Sequence, residues 1–155
     1  VFAAILFPVF AQARLAALRT VALSNAKQIA LGTLVYANDN DDRFPPFTNS
    51  EDVTEKIGPY LRDPKLPSIC AGYDWNTKLS AAKEFSVANP EVTWLFHTSA
   101  PDTGGKYIFG YVDGHCRSVG SQEYEGLPSA PTVILKDEAE SKGIGDAGSP
   151  KAPSD

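Results

Sequence analysis

Methionine is absent from the 155 residues, histidine occurs twice, and the only cysteines are Cys70 and Cys116. Cysteines so far apart form no CxxC pair, which excludes thioredoxin chemistry and argues against a cysteine-based zinc site. The pair is compatible with one disulfide and equally with two buried thiols. Basic tracts are missing too. Arg14, Arg19 and Lys27 are the only charges in residues 1–36, the rest of the chain is acidic, and the net charge is -5. Neither a basic patch nor an aromatic-interleaved basic surface is present, so no nucleic-acid partner is expected. Long hydrophobic runs are also lacking. The opening VFAAILFPVFA carries no charge, but it falls well short of the ~20 apolar residues that span a bilayer. No methionine or basic leader precedes it, so the chain reads as the remainder of a longer protein whose hydrophobic start lies upstream.

What is present is enough for one modest core. The chain is 43% hydrophobic, 10% aromatic and 21% charged, which makes a single folded domain the expectation rather than disorder. Glycine and proline, 12 of each, are too many for a plain helical bundle and follow no repeat, so loops are plentiful.

Residues 11–37 are rich in alanine and leucine, with Leu18, Ala22, Ala26, Ile29, Thr33 and Tyr36 recurring at steps of three or four. They share one face, while Arg14, Arg19, Asn25, Lys27 and Gln28 occupy the others. Joined to the apolar start, this predicts a helix approaching the mid-thirties in residues, roughly 54 Å at 1.5 Å per residue. That is longer than a small domain needs, so part of it should protrude and present apolar surface to lipid or to other helices. Pro8 fits either a helix start or an internal kink. The helix should stop in NDNDDRFPPF, where Pro45 and Pro46 exclude its continuation. Asp39, Asp41 and Asp42 crowd negative charge there without the glycine turn and closing glutamate of a calcium loop, and read as a solvated turn. Tyr36, Phe44 and Phe47 seat the helix against the remainder.

EDVTEKIGPYL suggests a short helix, and CAGYDWN reads as a turn with large packing side chains. The best strand pair lies in KYIFGYVDGHCRSV, with strands over 107–112 and 115–119 joined at Asp113 and Gly114. Val92 to His97 gives a third strand. PTVILK, residues 131–136, reads as a further short strand, and residues 137–155, with five acids, two bases and no aromatic, as a flexible acidic tail.

Enzyme signatures are wanting. No GxSxG nucleophile turn occurs, Asp113 is explained by the hairpin, and HExxH and closely spaced Cys/His pairs are absent. His115 suits a structural hydrogen bond better than metal or catalytic duty. GGKYIFG lacks the spacing and the Ser/Thr of a phosphate loop. No enzyme activity, cofactor or metal is expected.

The segments AAILFPVFAQAR and LSNAKQIALGTLVYANDNDDRFPP resemble the N-terminal helix and exit loop of type IV pilin-like and type II secretion pseudopilin-like proteins, most strongly over residues 3–46. GGKYIFGYVDGHCRSV resembles the second element of a bacterial subgroup, a histidine, nine residues, then aspartate-glycine. Asp113 and Gly114 match it, but Thr103 stands in the histidine's place. Cys70, Tyr73 and Asn76 loosely resemble a central stretch of the same subgroup.

The resemblance implies an α+β, pilin-like fold with a long protruding N-terminal helix packed on a small antiparallel sheet. Its parts would be a membrane and assembly helix over 1–37, a globular domain over 38–136 and the tail over 137–155. It further implies removal of a leader by a prepilin peptidase, a methylated N-terminus, insertion in the cytoplasmic membrane, and export into an extracellular filament. The partners would be copies of the same chain and a pilus or secretion machinery. Ile5, Leu6, Phe7, Pro8, Val9, Phe10, Leu18, Ala22 and Ile29 would make the assembly contacts. The alternatives are a pseudopilin of a secretion system and a membrane-tethered extracytoplasmic binding domain.

Overall fold

In a computed structural model of the chain, residues 2–127 are described, with side chains from residue 7 onward. Ile5 and Leu6 as assembly contacts, the strand expected over 131–136 and the tail expected over 137–155 lie outside these described parts.

The chain begins with α1 (Phe2–Asp39), which continues through Pro8. Its good helix formers carry it to Asn40, whose side chain donates to the carbonyl of Tyr36 at 2.8 Å and so satisfies one of the open acceptors of the last turn. Asp41 and Asp42 then both adopt a φ of 56°, the left-handed conformation that reverses the chain. Phe44 and Phe47 follow as buried plugs, and Phe47 stacks on Trp75 at 5.2 Å.

Next come α2 (Ser50–Ile57) and α3 (Leu66–Cys70), linked by a 3₁₀ turn over Gly58–Tyr60. Asn49 caps α2 by accepting from the Asp52 amide at 2.7 Å. Four strands, β1 (Tyr73–Trp75), β2 (Trp94–Thr98), β3 (Lys106–Tyr111) and β4 (Cys116–Gly120), form an open antiparallel sheet in sequence order, and α4 (Ser121–Tyr124) follows.

CAGYDWN is thus an edge strand in part and not only a turn. Tyr73 and Trp75 point into the core while Asp74 faces out, an alternation too short to stand out in sequence. The β3–β4 connection also differs from a two-residue Asp-Gly turn. It spans Val112, Asp113 and Gly114, with the Tyr111 amide donating to the His115 carbonyl at 2.9 Å and Gly114 at a φ of 85°. A three-residue loop ending in a left-handed glycine suits the twist of the strands.

The sheet is covered on both faces. On one, Ala26, Ile29, Ala30, Thr33 and Ala37 of α1 are fully buried in a core with Phe44, Leu66, Leu95 and Phe96. On the other, Phe109, Tyr111 and Val119 pack with Trp94, Tyr107, Tyr124 and Leu127. Near its middle α1 is tied to the β2–β3 loop by Arg19, 2.7 Å from Asp102.

The pilin-like expectation is corrected here. Gln12, Arg14, Arg19, Thr20, Asn25, Lys27 and Gln28 interrupt the apolar content of α1, and among the described residues no helix is long and apolar enough to cross a membrane. From Leu15 onward, one face of the helix packs on its own domain. Ile29, expected at an assembly surface, is fully buried inside the domain, and Ala22 is half-buried against the same core. Phe7, Val9, Phe10 and Leu18 are exposed. The architecture is a small α+β domain with an open four-stranded sheet.

Candidate binding recess

Three distant stretches of sequence meet at the carboxyl end of α1. Asn38 comes from the last turn of the helix and Asp42 from the exit. Glu84, Phe85, Val87, Ala88 and Pro90 come from the strap between β1 and β2, and Val112 and Asp113 from the β3–β4 loop. Together they line a recess of about 640 Å³.

Backbone hydrogen bonds fix the three stretches. The Glu84 amide donates to the Asp42 carbonyl at 2.7 Å, so the left-handed exit and the strap share one register. Ser86 closes the 3₁₀ turn Glu84–Ser86 by donating its hydroxyl to the Lys83 carbonyl at 2.6 Å. The Val112 amide donates to the Thr93 carbonyl at 3.0 Å and holds the hairpin loop against the end of the strap.

The recess joins carboxylates to apolar walls. Burial, and then the neighbouring Asp42 charge, push the Glu84 carboxyl above its ordinary 4.5. A cation in the recess would relieve that repulsion, and the open carbonyls at the end of α1 add negative potential of the same sense. Phe85 stands at the rim 57% exposed, with Lys83 Nζ 5.2 Å from its ring centre. The protein therefore already sets a cation beside this aromatic face.

Asp113 is held from behind. Its Oδ1 accepts from the His115 amide at 3.0 Å and lies 2.6 Å from His115 Nδ1, and the His115 ring stacks on Tyr111 with centroids 4.2 Å apart. Arg117 donates from Nε to the Tyr111 hydroxyl at 2.9 Å and pairs with Glu123 at 2.9 Å. This chain of contacts positions the loop. His97, the other histidine, is buried among the rings of Trp94, Phe109 and Tyr124.

Cys70 and Cys116 are separate thiols rather than a disulfide. Burial pushes each up to about 11, leaving both protonated and poorly nucleophilic near neutrality. Among the described residues no group of three or more His, Cys, Asp or Glu side chains converges as a metal site.

Of the residues singled out in the sequence, Asp42 and Asp113 reach the recess together, one read as a solvated turn and the other as a hairpin residue. Asn38, Glu84 and Phe85 join them without belonging to any motif of the sequence. The one local signal was a large aromatic following an acid in a polar loop, which acquires meaning only when the fold brings Asp42 beside it.

No family model, no curated protein and no solved structure matches the chain. Together with the interrupted apolar content of α1, this overturns the reading of the chain as a filament or secretion subunit assembled through a hydrophobic N-terminal helix.

Proposed function

We propose that this domain is a non-catalytic binding module whose recess at the carboxyl end of α1 receives a basic group with an apolar stem, such as a lysine or arginine side chain of a protein partner. The observation that carries the reading is the convergence of Asp42, Glu84 and Asp113 with the exposed ring of Phe85 around one recess. A cationic head meets carboxylates there while its methylenes cover Phe85, Val87 and Pro90. The packing of both histidines against aromatic rings, His115 stacked on Tyr111 and His97 tilted against Phe109, is in keeping with a structural role for them.

Titration of the isotope-labelled chain with a short acetyl-capped lysine peptide, followed by amide chemical shifts, tests this reading. Shifts concentrated at residues 38–42, 84–90 and 112–114, and lost in the Asp42→Asn/Glu84→Gln variant, are expected. Unchanged spectra, or shifts that survive in that variant, would overturn it.

A further inference from the structure

The two edges of the sheet are not alike. On β1 the outward carbonyl of Tyr73 accepts the Ser50 hydroxyl at 3.2 Å, so α2 closes part of that edge. The other edge is β4. Its ladder to β3 runs without a register shift from the pair of Gly110 and Cys116 to the pair of Lys106 and Gly120. Two contacts set the phase of that ladder. The Tyr111 amide reaches the His115 carbonyl at 2.9 Å, and the Ile108 amide turns the other way, to the Thr98 hydroxyl at 3.1 Å. In an antiparallel ladder, hydrogen-bonded pairs alternate with pairs whose peptide groups point away from each other. Phe109 with Arg117 and Tyr107 with Val119 are therefore the bonded pairs, and Cys116, Ser118 and Gly120 turn their amides away from β3. Among the described residues no other segment bonds the outward amides and carbonyls of Cys116 and Ser118, and an atom added at Gly120 would meet nothing within 4 Å.

An open edge is a template for another strand, and proteins blunt it with lysine, proline or a bulge. β4, with the sequence CRSVG, has none of the three. Its one charged side chain leaves the edge bare, because Arg117 is drawn back over the sheet to the Tyr111 hydroxyl at 2.9 Å and to Glu123 at 2.9 Å.

We propose that β4 pairs with β4 of a second copy of the chain, antiparallel about a two-fold axis at Ser118, so that one sheet runs through both copies. Charge favours this occupant. The net charge of -5 sets copies against each other, but at this edge the Arg117 cation is matched by Glu123. Register agrees with charge. The axis puts Ser118 opposite itself, Cys116 opposite Gly120 and Arg117 opposite Val119, so small residues meet small residues and no like charges oppose. A strand from another protein is selected through pockets for its alternate side chains. Neither the recess at the carboxyl end of α1 nor the groove beside Leu31 and Tyr60 is lined by a residue of β4. What this edge offers is backbone, and an identical strand answers it. The contact is isologous and closes on itself, so it makes a pair and does not propagate. With one strand of five residues from each copy, it belongs among the small, reversible interfaces.

Sedimentation equilibrium of the full chain over a concentration series should give a mass that rises from the monomer toward twice that value. Over the same series, amide hydrogen exchange at Cys116, Ser118 and Gly120 should slow as the pair forms, while exchange at the β1 edge stays constant. Ser118→Pro removes an outward amide and no bond to β3, so it should keep the circular dichroism of the domain and leave only monomer. A mass that stays at the monomer, or a pair in which these three amides exchange as fast as in the monomer, would overturn the proposal. So would protection that is independent of concentration, the result expected if another part of the same chain covers the edge, or a folded Ser118→Pro variant that still pairs.

Discussion

Arg19 and Asp102 are 83 residues apart in sequence, and the Arg19 Nε donates to Asp102 Oδ2 at 2.8 Å while Nη2 of the same guanidinium lies 2.7 Å from that oxygen. Asp102 Oδ1 meanwhile accepts the amides of Gly104 at 2.8 Å and Lys106 at 3.0 Å. One carboxylate thus shapes the β2–β3 loop and ties it to α1.

Asp102→Ala should therefore destabilise the domain by about 1–2 kcal/mol, toward the low end because the pair is partly solvated. Burial opposes ionisation of Asp102, but the amide of Lys106, the Arg19 guanidinium and the amide of Gly104 outweigh it and hold the carboxyl below its ordinary 3.8. A lowered carboxyl contributes stability above its unfolded value and loses it as pH falls through the folded one. Urea melts of the native chain and of Asp102→Asn should therefore differ at neutral pH and draw together in strong acid. A constant gap at every pH would count against this account.

Glu84 behaves in the opposite sense. Its carboxyl is raised by burial and by Asp42, so the folded state holds its proton more tightly than the unfolded chain does. Stability from this group is greatest in acid and declines as pH rises past 4.5 through the raised folded value. Glu84→Gln is expected to raise the melting temperature near neutrality and to have no such effect in acid. The same substitution weakens lysine-peptide binding, so stability and binding move in opposite directions, as at a site that keeps like charges together for a ligand.

Some of this was legible in sequence and some was not, for physical reasons. The spacing of Ala26, Ile29 and Thr33 announces a buried helical face because helix period and burial act locally. The aromatic run before Asp113-Gly114 announces a hairpin for the same reason. The alanine-rich start of α1 overstated its apolar continuity, since charged and amide side chains on its other faces determine whether lipid accepts it. The recess was illegible because Asp42, Glu84 and Asp113 acquire a common meaning only after the exit of α1, the strap and the hairpin loop pack together.

Asn76 carries a testable part of that packing. It is 4% exposed, its Nδ2 donates to the Trp94 carbonyl at 2.8 Å, and its Oδ1 accepts the Lys78 amide at 3.2 Å. Asn76→Ala leaves the Trp94 carbonyl without this donor and should cost about 1–3 kcal/mol in denaturant melts. Asn76→Asp should cost more above the titration of the new carboxyl, because it sets an anion against that carbonyl. Equal losses for the two variants at neutral pH would show that the Nδ2 contact contributes little.

Gly110 offers the sharpest test of the sheet. It pairs with Phe96 across β2 and β3, and a Cβ placed on it would fall 2.5 Å from Phe96 Cζ, with the fully buried ring held by Tyr73 and Trp75 on β1. The ring cannot retreat without opening the core, so Gly110→Ala should destabilise by about 1–3 kcal/mol, near the upper end. Gly120→Ala is the control, since nothing lies within 4 Å of the added atom there. Because the strain belongs to one pair, Phe96→Leu should recover part of the loss when combined with Gly110→Ala, although Phe96→Leu alone costs stability. Strict additivity of the two substitutions in thermal melts would place the cost outside this contact and count against the register of β2 on β3.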